Sequence, residues 1–488
     1  MELKTPGFGI MQNGREVGGR PGAPLDILIL AAGLGTRMRS NTAKVLHRLD
    51  GKALIQHVTL EASKLNPRNI YVVVGHQASD VEATLKEEIS LGSVKFVNQR
   101  SQRGTGDAVI SAKDVLSRAD STLLVLSGDV PLIQAETLEV LVSRHTDDGN
   151  RTAACTILSI ELDDPTGYGR LIRNDAGGFD KIVEHKDATP EQRGIKEVNS
   201  GIYCFETSLL FPALEMVEPK NAQGEFYLTD VPGILRGSND EVRIFCHDDP
   251  VEVSGINTRV ELANFEAIVR DRTRRRLMLE AGVTFIDPEH TYVSSSAQIG
   301  RDCILYPGVY IEGESRIGSG CEIRSGSRIT NSSIGDNVVI KDHSLIIDST
   351  VGDGCSVGPF AHLRMNASIE AGAAVGNFVE LKKSKLGRGS KAIHLSYLGD
   401  ATIGEKTNIG AGTITCNYDG KNKHETFIEN GVKIGSDTML VAPVRVGAGA
   451  VTAAGSVVTK DVPPGTLVAG VQAKVKKQLI PAQEPERR

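Results

Sequence analysis

Residues 293–329 read VSSSAQIGRDCILYPGVYIEGESRIGSGCEIRSGSRI. Within them Val293, Ile299, Leu305, Ile311, Ile317, Ile323 and Ile329 recur at a strict interval of six, with glycine directly after Ile299 and Ile317. Neither a helix nor a simple alternating strand has that period. A parallel β-helix does: one aliphatic per short flat strand points into a narrow prism, and glycine or other small residues turn the corners. After a one-residue slip the series resumes at Ile334, Ile340 and Ile346. It returns at Val351, Val357, Leu363, Ile369, Val375 and Leu381, then at Ile403 and Ile409, and finally at Ile428, Ile434, Leu440 and Val446. No single coil can bury its own face, so stability must come from stacked neighbours. The polar stretch TCNYDGKNKHETF (415–427) breaks the period and must loop out. With 52 glycines, no tryptophan and 4% aromatics, the chain has the composition of a core built from small aliphatics.

Upstream the pattern differs. From residue 26, DILILAAG, IYVVVG and STLLVLSGD are short apolar runs that end in Gly or Asp loops and alternate with helical stretches. That is βαβ logic, hence a largely parallel sheet with ligands at the carboxyl ends of its strands. Hairpin-like pieces such as GRLIRNDAGGFDKIVEH follow. Residues 258–285 contain no proline and read as one helix, whose RDRTRRR run suits a solvated or inter-subunit face. The expected organisation is a disordered leader (1–24), an α/β (Rossmann-like) domain (25–257), a connecting helix (258–285) and a parallel β-helix of hexapeptide repeats with a C-terminal tail (286–488).

A formal charge of −6, mixed in sign and without an aromatic-interleaved basic stretch, disfavours a nucleic-acid partner. Seven scattered cysteines without a CxxC pair argue against a disulfide framework or a thiolate zinc site. No apolar run approaches the ~20 residues that span a bilayer, and the leader lacks an apolar signal core. The expectation is a soluble cytoplasmic protein without a membrane partner.

Chemistry enters at LAAGLGTRMRSNTAKVLH (30–47). A glycine-rich loop directly after a strand can press backbone N–H groups against phosphates, and Arg37 and Lys44 supply charge behind it. Its spacing is neither GxGxxG nor GxxxxGK[ST], which disfavours a dehydrogenase or P-loop kinase. LAAGLGTRM, with AKVLH after it, is similar to the signature of sugar nucleotidyltransferases, Ala43 standing where that signature has proline. QRSQRGTGDA, LSGDVPL, DDPTGYGR, IVEHKDA, EVNSGIY, GEFYLTD and SGINTR follow in order, then VGNFVELKKSKLGRGSKAIHLSYLGDATIG and NIGAGTITCNYDG. In that order the chain resembles the bifunctional N-acetylglucosamine-1-phosphate uridyltransferase and glucosamine-1-phosphate acetyltransferase family.

The resemblance implies that Leu30, Ala31, Ala32 and Gly33 line UTP by main chain, that Arg37 and Lys44 stabilise its phosphates, and that Gln99, Gly104 and Thr105 read the uracil. Ser127 and Gly128 belong to the same nucleotide and sugar site. Asp129 and Asn257 would hold Mg²⁺, two oxygen ligands suiting a hard cation that keeps waters and substrate phosphate. Gly169, Glu184 and Asn199 would meet the sugar. In the second half His394 is implied as general base on the glucosamine amine, which attacks acetyl-CoA. An imidazole is mostly neutral in the cytosol, as a base must be. Arg364 and Lys382 would face the sugar phosphate, Tyr397 and Asn408 the rest of the sugar, Lys423 would be a further cation of the acetyltransferase site, and Ala411, Asn417, Tyr418, Ser436 and Ala454 would meet acetyl-CoA. Where the family commonly has an arginine near the CoA phosphates this chain has Val471, with Lys474, Lys476 and Lys477 nearby. The resemblance further implies that residues 25–257 are an α/β nucleotidyltransferase domain and that the parallel β-helix of 286–488 is left-handed; such β-helices usually trimerise, so a homotrimer is expected. Two rival readings are a single-activity nucleotidyltransferase with a trimerising β-helix, disfavoured by HLSY and NYDG, and a non-catalytic scaffold, which would not need Lys44, Asp129 and Asn257 together.

Overall fold

The computed structural model describes residues 24–33, 35–88, 94–116, 120–146 and 152–478. All of the expected leader except Pro24 lies outside them. The chain forms two compact units that divide between Phe265 and Glu266.

In the first unit, β1 (Leu25–Leu30), β2 (Asn69–Val74), β3 (Val94–Asn98) and β4 (Thr122–Ser127) run parallel in the order β3-β2-β1-β4. Strands covered on both faces need apolar side chains on both, which is why LDILIL and TLLVLS read as continuous runs. Ile27, Ile29, Val72 and Leu124 pack into one layer, and Leu28, Val73, Leu123 and Val125 into the other. The sheet continues through β5 (Cys155–Glu161), the hairpin strands β6 (Arg170–Arg173) and β7 (Phe179–Val183), β8 (Glu197–Glu206) and β9 (Val242–His247). Here the expected parallel pattern fails in part, because β8 runs antiparallel between β4 and β5. It follows a hairpin instead of a crossover helix, and so enters from the opposite end of the sheet.

A helix, Arg259–Glu280, carries the chain into the second unit. It stops short of the expected residue 285: Gly282 takes φ +66°, Val283 N–H bonds back to the Leu277 carbonyl, and Thr284 already pairs with the β-helix. Its arginines are not all solvated either. Arg274 is buried and donates to the Pro288 carbonyl, and the Arg270 guanidinium stands 4.7 Å over the Tyr292 ring.

The remainder is a left-handed parallel β-helix with faces of 12, 10 and 9 strands. Successive coils pair in register, Ile304 with Glu322, Glu322 with Val339 and Val339 with Ser356. The aliphatic series is buried throughout. The structure also fills the gaps in it: Leu386, Ala392 and Leu398 continue the inward positions, as do Thr415 and Thr452. A search for large aliphatics passes over alanine and threonine at these places. A second inward position, two residues earlier, is small, and its hydroxyls and thiols donate to the neighbouring coil. Ser390 Oγ reaches the Gly404 carbonyl at 2.7 Å, Ser327 Oγ the Lys341 carbonyl at 3.0 Å and Cys321 Sγ the Gly335 carbonyl at 3.1 Å. Cys321 thus stands in a serine position, and all seven cysteines are free. The corners include large residues as well as small ones: Phe360, Phe378 and Leu395 take φ of 54°, 55° and 44°. The expected excursion at 415–427 is narrower: Thr415, Cys416, Thr426 and Phe427 pair within the coils, and residues 417–425 between them loop out, since Asn408 pairs with Lys433 although Lys391 and Asn408 are one ordinary coil apart.

Candidate functional sites

In the first unit the glycine loop leaves β1 at the carboxyl end of the parallel strands. Gly128 N–H bonds to the Leu30 carbonyl at 3.0 Å, Ala31 N–H to the Val73 carbonyl at 2.9 Å, and the Ala32 carbonyl accepts from Gln102 at 2.7 Å. Ala31 and Ala32 are buried while Gly33 is exposed. Gly35 takes φ +60°, and a Cβ there would lie 2.6 Å from the Lys44 Cβ. The bare backbone therefore lets the Lys44 stem cross the loop. Its ammonium pairs with the Asp129 carboxylate and donates to Asn257 Oδ1 at 3.1 Å, and the same Oδ1 accepts from Arg37 at 2.8 Å. Three segments far apart in sequence meet at one point.

Two local devices hold Asn257 there. Ile256 N–H bonds to the Asp129 carbonyl at 2.9 Å, seating the SGIN segment on the β4 loop. Glu261 accepts from Asn257 N–H at 2.6 Å and Thr258 N–H at 2.9 Å, while Thr258 Oγ1 accepts from Glu261 N–H at 3.1 Å. This is a capping box at the start of the Arg259–Glu280 helix.

Gln99 is buried, and its amide nitrogen donates to Asp107 at 2.9 Å. A carboxylate can only accept, so the amide nitrogen is the atom on Asp107 and Oε1 stays outside that bond. The Thr105 hydroxyl accepts from Leu228 N–H at 3.0 Å, and with Phe226 N–H bonded to the Arg103 carbonyl this docks the GTG turn on the GEFYLTD segment.

A second cluster stands beside this one. A bulge between β8 and β5 after Asn199 brings Gly201 against Ser127, where a Cβ would lie 3.4 Å from Oγ. Asn199 N–H bonds to the Gly169 carbonyl at 2.9 Å, and its amide donates to the Tyr203 hydroxyl at 2.6 Å. Glu184 accepts from the Thr229 hydroxyl at 3.1 Å, and burial raises its carboxyl above the ordinary range. Sequence reasoning missed Tyr203, Thr229 and Glu261. Only Glu261 had a local signal, the T-x-x-E spacing that follows Asn257.

In the second unit Arg364 pairs in register with Lys382, and Lys382 with Gly399. Arg364 Nε donates to Glu380 at 2.7 Å, and the buried Lys382 ammonium to Asp400 at 3.3 Å. Asn417 donates to the same Asp400 oxygen. The Lys423 ammonium lies against that of Lys382, which holds its pKa below the usual lysine range, with Arg364 adding repulsion. A Cβ on Gly399 would lie 2.4 Å from the Tyr397 hydroxyl oxygen and 2.8 Å from Asn417 Nδ2, so the bare glycine lets these two groups meet. Arg364, Lys382 and Lys423 thus set three positive charges against two carboxylates, Glu380 at Arg364 and the buried Asp400 at Lys382, which leaves positive charge for an anion.

His394 sits on the neighbouring edge, with Nδ1 2.8 Å from Asn377 Oδ1. Gly412 N–H bonds to the Leu395 carbonyl, Asp437 N–H to the Ala411 carbonyl and Gly455 N–H to the Ser436 carbonyl. Hence His394, Ala411, Ser436 and Ala454 succeed one another on consecutive coils, and the small residues form a track leading from the imidazole. Tyr418 is exposed on the looped-out segment. Asn408 stands on the strand face paired with Lys391, and no hydrogen bond among the described residues joins it to the cation cluster. Val471 is 82% exposed in the turn of the last hairpin, whose second strand carries Lys474, Lys476 and Lys477.

Among the described residues no helix is long and apolar enough to cross a membrane. A nucleotidyl transferase family model matches residues 27–247, and a model of the GMPPB C-terminal domain matches residues 288–367. The chain is 48% identical over 443 residues to the bifunctional protein GlmU of Syntrophomonas wolfei, covering 91% of this chain and 96% of that one. It is 48% identical over 454 residues to the bifunctional protein GlmU of Heliobacterium modesticaldum (93% and 97% covered). Against that of Shouchella clausii it is 47% identical over 440 residues (90% and 95% covered).

Proposed function

The chain belongs to the family of bifunctional GlmU proteins, and from that premise we propose that it makes UDP-N-acetylglucosamine in two steps. The second unit acetylates glucosamine-1-phosphate with acetyl-CoA. The first transfers uridylyl from UTP to the resulting N-acetylglucosamine-1-phosphate and releases pyrophosphate. The observation that supports this best is the meeting of Arg37, Lys44, Asp129 and Asn257 at the carboxyl end of β1 and β4.

In uridylyl transfer a phosphate oxygen of the acceptor attacks the α-phosphorus in line. Arg37 and Lys44 stabilise the charge that builds on the departing pyrophosphate. Asp129 and Asn257 oxygens both reach the Lys44 ammonium, so they converge on one locus, and as hard donors they suit Mg²⁺ with water and phosphate completing its shell. Bound there, the ion supplies neutralisation of the triphosphate charge. Gln99 Oε1 is free to accept from the N3–H of uracil, which cytosine lacks. The Gly169 backbone, Glu184 and Asn199 take the sugar hydroxyls and the N-acetyl group.

In acetyl transfer His394 takes a proton from the glucosamine amine at Nε2 as the nitrogen attacks the thioester carbonyl, and the C–S bond breaks to release CoA. Arg364, Lys382 and Lys423 hold the sugar phosphate, Tyr397 and Asn408 the rest of the sugar. Ala411, Asn417, Tyr418, Ser436 and Ala454 give acetyl-CoA a narrow path along the prism. The protein works in the cytoplasm as a homotrimer assembled through the β-helix. Assaying one purified sample with each substrate pair tests the assignment: turnover of both pairs is expected, and turnover of UTP alone would leave the single-activity reading.

A further inference from the structure

At the far edge of the first unit's sheet lies a cavity of about 460 Å³ lined by Arg144, Arg173, Arg243, Phe179, Val242 and Thr156, among others. Among the described residues three arginines line it and no carboxylate does. Arg173 is held by Glu197 and Arg243 by Glu241, each at 2.7 Å, with both carboxylates outside the lining. The Arg144 guanidinium stands 4.2 Å over the Phe245 ring and has no carboxylate partner among the described residues. Among the described residues the lining therefore holds one positive charge, that of Arg144, without a carboxylate against it. Its volume suits a small molecule, and Phe179, Val242 and Ile244 offer that molecule an apolar side.

Its position matters as much as its charge. Val242 and Thr156 open β9 and β5, which places the cavity at the amino ends of strands whose carboxyl ends point towards the reaction site. The β6–β7 hairpin connects the two poles. Its turn supplies Arg173, Gly177, Gly178 and Phe179 to the cavity, while Gly169 precedes its first strand and Glu184 follows its second. Glu197, the partner of Arg173, lies two residues before Asn199 on β8. An anion that draws Arg173 away from Glu197 thus acts on both segments that carry the sugar-facing residues.

We propose that this cavity is a regulatory site for a phosphate-bearing small molecule, separate from both reaction sites and coupled to acceptor-sugar affinity through the β6–β7 hairpin and β8. By linkage, the sugar phosphate and the anion change each other's affinity by the same factor. Inorganic phosphate is the probe. Calorimetric titration of the full-length protein, with UDP-N-acetylglucosamine and Mg²⁺ saturating, is carried out on the wild type, Arg144→Lys and Arg144→Glu. The wild type and Arg144→Lys should each bind one more phosphate per chain than Arg144→Glu, a count that does not depend on which reaction the protein catalyses. Initial rates should show a phosphate-dependent rise in KM for N-acetylglucosamine-1-phosphate that is about fivefold larger in the wild type than in Arg144→Glu. Circular dichroism verifies that the variants fold. Equal phosphate stoichiometry in all three proteins, or equal KM shifts, overturns the proposal.

Discussion

Asn377 and His394 occupy paired positions on successive coils of the β-helix, and the imidazole Nδ1 lies 2.8 Å from the Asn377 amide oxygen. An amide oxygen only accepts, so Nδ1 carries the proton and Nε2 presents its lone pair. His394→Ala should lower acetyl-transfer kcat by roughly 10²-fold or more, the scale of a lost general base, while acetyl-CoA still binds. Asn377→Ala should lower kcat by less and leave KM nearly unchanged. Asn377→Asp places a negative charge beside the ring and favours the imidazolium, so the acid limb of the pH–rate profile should move to higher pH. Steady-state kinetics across pH measure all three, and an unchanged rate in His394→Ala would remove the proposed base.

Glu184 combines a proposed site role with a stability cost. Burial raises its carboxyl pKa above the ordinary 4.5, so in the window between that value and its raised one the folded protein binds the proton more tightly than the unfolded chain does. Stability therefore falls as pH rises through that window. Glu184→Gln keeps an acceptor for Thr229 and removes the charge. Its melting temperature at neutral pH should equal or exceed that of the wild type, with a flatter pH dependence above the ordinary carboxyl range. KM for N-acetylglucosamine-1-phosphate should rise about tenfold, the loss of one charge-assisted hydrogen bond of about 1.5 kcal/mol. A lower melting temperature together with an unchanged KM would refute both halves.

Gly399 is where a single methyl group should separate packing from chemistry. An added Cβ would press on the Tyr397 hydroxyl and Asn417, both in the proposed acetyltransferase site. Gly399→Ala should raise KM for glucosamine-1-phosphate and lower acetyl transfer, with uridylyl transfer unaffected. Equal effects on the two activities would point to general unfolding instead.

Val471 is almost fully exposed one residue beyond Gly470, whose carbonyl accepts from Val457 N–H in the coil that also carries Ala454. A longer side chain fits there without displacing core. Val471→Arg should tighten acetyl-CoA binding by about 1.5 to 3 kcal/mol at most, the range for a hydrogen bond to a charged group. Calorimetry decides. Unchanged binding would mean that Lys474, Lys476 and Lys477 already serve the CoA phosphates.

The β-helix was legible in the sequence because its period is local: Val293 to Ile329 needed only counting. Ala392, Thr415 and Thr452 were not legible as core, since their inward direction is dictated by stacking and not by hydrophobicity. The reversal of β8 was hidden as well, because strand direction depends on whether a hairpin or a crossover comes before it. In the sites, motifs placed Lys44, Asp129 and Asn257, but their meeting is tertiary. Asn377 could have been found by looking one coil before His394. Tyr203 and Thr229 had no such signal, because they reach Asn199 and Glu184 through the bulge on β8 and the packing of the GEFYLTD segment.

The central claim is that one chain houses two chemistries in two separate units, and Asp129→Ala tests it most directly. Both activities are measured on a single preparation whose fold is verified by circular dichroism. Uridylyl transfer should fall by roughly 10²-fold or more, since Lys44 loses its carboxylate partner and the proposed cation site its charged ligand. Acetyl transfer should stay within about twofold of the wild type, because the two sites lie in separate units and share no residue. Parallel loss of both activities in the folded variant would contradict the account.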